Sequence, residues 1–153
     1  MKIKLDDGAI CPTRSHPTDA GLDLYSREEK TIYPLKAEFK PGTGLEYQLS
    51  GGETFDTGVH IELPPLTFGK LESRSGLNVK HSVVSCGGVI DVGYTGSIIV
   101  KLYNLGDKPY TVHAGDRIAQ LVILPYYKEN EIEIVEELNE TDRNNNGIGS
   151  SGR

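Results

Sequence analysis

A chain of 153 residues with a formal net charge of −6 is one domain, long enough to bury a real core. Its 37% hydrophobic and 25% charged residues are ordinary for a globular protein and exclude wholesale disorder. The acidic balance argues against a nonspecific nucleic-acid binder, which needs a basic face to meet phosphates. A small anionic substrate stays compatible, because a few arginines make a local positive site on an acidic protein. Residues 1–30 carry no apolar signal-peptide core. The longest apolar run, Ile118 to Leu124 with one glutamine, is too short to span a bilayer. Cys11 and Cys86 match no C-x-x-C or zinc spacing, so the expectation is two reduced, buried thiols.

In chain order, "AGLDL" (20–24) reads as a strand with Asp23 pointing opposite to Leu22 and Leu24. "EFKPGTGLEYQLSGGE" (38–53) reads as a surface excursion, with glycine-containing turns around a short apolar stretch. In "TGVHIEL" (57–63), Val59, Ile61 and Leu63 share one face while His60 and Glu62 share the other. "SRSG" (73–76) opens the best helical candidate, a single turn around Ser75–Lys80. An arginine, a hydroxyl and a glycine amide at such a start suit an anion. "GGVIDVGYTG" (87–96) reads as a β-hairpin with Asp91 and Tyr94 near its bend. "SIIVKLYN" (97–104), "RIAQLVIL" (117–124) and "EIEIVEE" (131–137) are further strands, spaced by the turn signals "LGDKP" (105–109) and "HAGD" (113–116). Many short strands and one helical turn predict a sandwich or jelly roll, not βαβ units. From Thr141 the β pattern stops, and "DRNNNGIGSSGR" is polar and glycine-rich. There is no Walker loop, no G-x-S-x-G elbow and no paired histidines.

Each stretch alone is an ordinary turn or tail. Together and in order, "AGLDLYS", "SRSGLNVKH", "GGVIDVGYTG", "GDRIAQL" and "RNNNGIGSSG" resemble the five motifs of the trimeric dUTP diphosphatase (dUTPase) family, from about Pro17 to Gly152. The resemblance implies an all-β, distorted jelly-roll subunit of β-clip type over residues 1–140, with an insertion at about 38–53. Residues 141–153 would be a flexible C-terminal arm closing over a neighbouring active site. It implies a homotrimer with shared sites that hydrolyses dUTP to dUMP and pyrophosphate with Mg²⁺, keeping uracil out of DNA and supplying dUMP for thymidylate synthesis. The expected location is the cytoplasm, or the host cytoplasm if the chain is phage-encoded, with no membrane contact and no direct nucleic-acid binding.

By the same resemblance, Asp91 is the catalytic base that activates water and contacts the deoxyribose 3′-hydroxyl. Tyr94 packs under the deoxyribose and excludes a 2′-hydroxyl. The backbone around Cys86, Gly87, Val89, Ile90 and Ile99 reads the edge of uracil. Arg74, Ser75, Gly76 and Gln120 hold phosphates, and Asp23 holds Mg²⁺ through water, the ion being mostly substrate-held. In the arm, Arg143 reaches the γ-phosphate, and Gly149, Ser150 and Ser151 supply amides and hydroxyls. Ile148 stands where the family usually has an aromatic over uracil, and Gly93 stands where many members carry an acid. The related dCTP deaminases place a glutamate on the strand after the third motif. Lys101 stands there and cannot activate water. The insertion at 38–53 offers room for a regulatory protein partner.

Overall fold

The protein's structure is a computed structural model in which residues 1–39, 47–128 and 132–139 are described. Thirteen strands and one helix follow one another: β1 (Lys2–Leu5), β2 (Gly21–Tyr25), β3 (Lys30–Ile32), β4 (Lys36–Phe39), β5 (Tyr47–Ser50), β6 (Glu53–Asp56), β7 (Val59–Glu62), β8 (Thr67–Glu72), α1 (Ser75–His81), β9 (Val83–Cys86), β10 (Val89–Ile90), β11 (Ile99–Asn104), β12 (Tyr110–Val112) and β13 (Arg117–Pro125) among the described residues. The strands pair antiparallel in small sheets ordered β10-β8-β13-β2, β6-β11-β9, β1-β7, β12-β3 and β4-β5. This is the expected all-β jelly-roll type of fold. No helix among the described residues is long and apolar enough to cross a membrane.

The core follows from period-2 alternation. On β7 Val59 and Ile61 are buried while Glu62 is exposed; on β11 Val100 and Leu102 are buried while Ile99 is exposed. These side chains meet Leu24, Ile32, Phe55 and Leu121 in one cluster, each large apolar side chain contributing roughly 1.5–3 kcal/mol on burial. Helix α1 has seven residues and buries only Leu77. A helix this short is marginal alone, so packing of Leu77 and the left-handed Ser82 closing its C-terminus hold it in place.

Four expectations change. The stretch 87–96 is not a hairpin paired on itself, because β10 joins β8 while β11 pairs with β6 and β9. The excursion at 38–53 begins earlier, since Lys36–Phe39 pairs with Tyr47–Ser50 as a ribbon and Glu53 already belongs to β6. Among the described residues of "EIEIVEE" none is in a strand, and Ile132 and Ile134 are exposed. Alternation makes a strand only where a ladder partner exists. Cys11 and Cys86 are free, as expected, but both are exposed. Cys86 ends β9 at the point where the chain leaves its sheet.

Candidate active site

Asp23 sits mid-way along β2, with Leu22 and Leu24 committed to the core. Its side chain is only 12% exposed and is compensated on every side. Ser15 Oγ donates to Oδ2 at 2.9 Å, Arg74 Nε to Oδ1 at 3.1 Å, and Arg117 Nη1 to Oδ2 at 3.3 Å. The donors are tied to each other: Arg117 Nη1 also donates to Ser15 Oγ at 2.6 Å, and Arg74 Nη1 to the Arg117 carbonyl at 3.1 Å. A cleft of about 410 Å³ opens beside this cage, lined by Asp19, Asp23, Arg74, Ser75, Gly76 and Gln120 among others. Five predicted residues therefore come together here.

A β-bulge makes that convergence possible. Residues three apart on a regular strand face opposite ways. On β13 the register shifts between Arg117 and Ala119, so Arg117 pairs with Tyr25 while Gln120 pairs with Asp23. The extra residue, Ile118, drops into the core beside Ala119. Arg117 and Gln120 thereby serve the same face, the re-aiming for which bulges are used. Gln120 Nε2 donates to the Ser73 carbonyl at 3.1 Å. A Cβ on Gly21 would lie 2.4 Å from Gln120 Oε1, so glycine at that position is what lets the amide enter the cleft.

Asp91 lies elsewhere. It lines a second, more apolar cleft of about 370 Å³ with Thr67, Phe68, Val89, Val92 and Tyr126. The Tyr94 amide donates to the Asp91 carbonyl at 2.9 Å, closing a tight turn, and Tyr94 Oη donates to the Ser97 carbonyl at 2.8 Å. Ser97 Oγ in turn donates to Asp56. That hydroxyl, then the Gly58 amide, holds the Asp56 carboxyl below its usual range. The β10–β8 register, extended by one residue, sets Asp91 beside Phe68, whereas Gln120 is opposite Glu72. Four strand steps separate those levels, about 14 Å at roughly 3.4 Å per residue.

Cys86, Gly87, Val89, Ile90 and Ile99 surround a fork. Cys86↔Lys101 is the last β9–β11 pair and Val89↔Lys70 the first β10–β8 pair, so the chain changes sheets at Gly87–Gly88. Ile99 and Val100 pair only with β6. Their other backbone edge is left facing the fork. Ile90 is buried in the core, so its backbone alone is available there. Lys101 lies with its ammonium 5.3 Å from the Tyr103 ring. Arg143, Ile148, Gly149, Ser150 and Ser151 lie outside the described residues. Sequence reading did not single out Ser15, Asp19 or Arg117. For Arg117 the signal was present in "GDRIAQL"; for Ser15, far from every motif core, there was none.

No group of three or more His, Cys, Asp or Glu side chains among the described residues is placed to hold a metal. Asp19 and Asp23 put carboxylates at the cleft wall, that of Asp23 already accepting from Ser15, Arg74 and Arg117.

The sequence model of the dUTPase family matches residues 7–152. The chain is 43% identical to the deoxyuridine 5′-triphosphate nucleotidohydrolase of Clostridium acetobutylicum, over 99% of this chain and 96% of that one. A variant dUTPase of Staphylococcus bacteriophage 80alpha, solved with dUpNHpp, superimposes with a TM-score of 0.84 at 28% identity, covering 99% of this chain and 98% of that one. A variant dUTPase from phage phi11 of S. aureus, which coordinates a structural Mg(II) ion, gives a TM-score of 0.73 at 27% identity over 89% and 96%. Because fold and sequence agree along nearly the whole length, the chain belongs to the dUTPase family and is a dUTP nucleotidohydrolase.

Proposed function

We propose that the hydrolysis of dUTP takes place in a site shared between subunits of a homotrimer, the triphosphate lying against the Asp23–Arg74–Gln120 cleft of one chain and the nucleoside against the Asp91–Tyr94 cleft of another. The separation of the two clefts carries this reading. A general base must reach its proton directly or through one water, and about 14 Å of strand between the two levels is too far for one chain's Asp91 to serve a phosphate held by its own Arg74.

Water attacks the α-phosphorus, the bond from that phosphorus to the α,β-bridging oxygen breaks, and dUMP and pyrophosphate leave. Asp91 takes the water's proton and accepts from the 3′-hydroxyl. Tyr94, held by Ser97, stands under the sugar. The backbone edge of Ile99 and the amides beside Cys86, Gly87, Val89 and Ile90 read uracil, and the closeness of that fork turns away a 5-methyl group. Arg74, Gln120, Ser75 and Gly76 meet the phosphates, and the arm brings Arg143, Ile148, Gly149, Ser150 and Ser151 over the site from a neighbouring chain. The family uses Mg²⁺. The residues present would suit an ion held mainly by phosphate oxygens and water, and Asp23 would hold it through such a water. Such an ion would neutralise charge on the leaving pyrophosphate.

Complementation tests the arrangement. Asp91→Asn and Arg74→Ala chains are each expected to be nearly inactive alone. Reassembled together at equal amounts, they regain about a quarter of the wild-type sites if Asp91 and Arg74 come from different chains of a closed ring. Chains lacking residues 143–153, mixed in the same way, test the arm. No recovery of pyrophosphate release in either mixture places each site within one chain.

Gly76 separates binding from folding. A Cβ there meets nothing within 4 Å, and alanine is favoured over glycine in helices by up to roughly 1 kcal/mol. Gly76→Ala is therefore expected to keep or raise the melting temperature while raising KM for dUTP. An unchanged KM removes this backbone from the phosphate site.

A further inference from the structure

His60 projects from β7 between the N-terminal turn and the loop that carries Asp91 and Tyr94. Its Nδ1 lies 2.8 Å from the Thr95 carbonyl oxygen and its Nε2 lies 3.1 Å from Asp6 Oδ1. Both partners are acceptors with no proton to give. A neutral imidazole has one N–H and so satisfies one of them; only the imidazolium, a donor at both nitrogens, satisfies both. We propose that doubly protonated His60 is a positioning residue for the reaction, a clasp that ties the Asp91–Ser97 loop to the N-terminal turn and releases one end when it loses a proton.

The rest of the loop shows why this contact decides its position. Ser97 and Ile98 are fixed independently: Ser97 Oγ donates to Asp56, the Ile98 amide to the Val59 carbonyl at 2.9 Å, and Thr57 Oγ1 to the Ile98 carbonyl at 2.8 Å. Toward Tyr94, the clasp on Thr95 is the next hydrogen bond to the body of the protein among the described residues. The charges around His60 are Asp6 from the N-terminal turn, Lys4 directly opposite on β1 with Lys2 beyond it, Glu62 on its own strand paired with Lys2, and Asp56 from the end of β6 paired with Arg27. The Thr95 carbonyl, then Asp6, raises the His60 pKa above its ordinary 6.5, with partial burial and Lys4 opposing. The sign follows: the clasp is complete below about pH 6.5 and is lost as pH rises through the raised value.

The effect on catalysis rests on Asp91 and Tyr94 having the roles given above, so the clasp is also read without nucleotide. In the full-length assembled protein, amide protection at residues 94–97 is compared at pH 6 and pH 8.5 for wild type, His60→Gln and Asp6→Asn. Wild type is expected to lose protection with rising pH and His60→Gln to have low protection at both values; Asp6→Asn should keep protection at both, because its amide can donate to the neutral Nε2 while Nδ1–H holds Thr95. KM for dUTP should rise about fivefold across the same step in wild type, the size expected for loss of one hydrogen bond, and His60→Gln should lack that step. A histidine that held the loop by packing alone would give no step for the Asp6→Asn amide to abolish. A pH step that persists in His60→Gln or in Asp6→Asn overturns the proposal. Loss of the KM step alone, with the protection step intact, instead faults the roles given to Asp91 and Tyr94.

Discussion

Asp91→Asn is expected to slow pyrophosphate release from dUTP by about 10²–10⁴-fold, the usual contribution of a general base, or roughly 2.7–5.4 kcal/mol of transition-state stabilisation. Asparagine matches aspartate in shape, and the turn it occupies is closed by the Asp91 carbonyl, not by its side chain. The fold and assembly should therefore be untouched. The amide can still hydrogen-bond a 3′-hydroxyl, so affinity for a non-hydrolysable analogue should largely survive. Only the capacity to take a proton is removed. Turnover within a few-fold of wild type would take Asp91 out of the mechanism.

Asp23→Ala should act first on stability. It leaves the Arg74 and Arg117 guanidiniums side by side with their shared carboxylate gone. Breaking a buried ion pair costs about 3–5 kcal/mol. Arg74 and Arg117 are 25% and 42% exposed, and solvent screens what remains, so a loss of about 2 kcal/mol is the expectation, read as a lower denaturation midpoint. Hydrolysis should fall as well, since Arg74 loses the contact that aims it into the cleft. Asp23→Ala combined with Arg117→Ala should recover part of the stability, because the second change removes the uncompensated charge; such non-additivity is the signature of a coupled network. A midpoint equal to that of wild type in Asp23→Ala would show that the cage contributes nothing to folding.

What the sequence determined by itself is local. A strand's period is a property of its own backbone, so "TGVHIEL" already divides Val59 and Ile61 from His60 and Glu62, and "AGLDL" already turns Asp23 away from the core. A single helical turn around Ser75–Lys80 was legible as well, and the structure extends it to Ser75–His81. Tertiary structure alone decided what depends on two segments at once. The bulge at Ile118 exists only in the pairing of β13 with β2, and without it Arg117 and Gln120 would face opposite ways. The fork at Gly87–Gly88 arises because β10 finds β8 and not β11. "EIEIVEE" has the alternation of a strand, yet its described residues have no ladder partner. His60 reads as a solvent-facing position on its strand, and nothing in its neighbours along the chain shows that Thr95 and Asp6 approach its two nitrogens from opposite sides. Side-chain direction is written in each segment, whereas partnership between segments distant in sequence is settled only when the chain closes on its core.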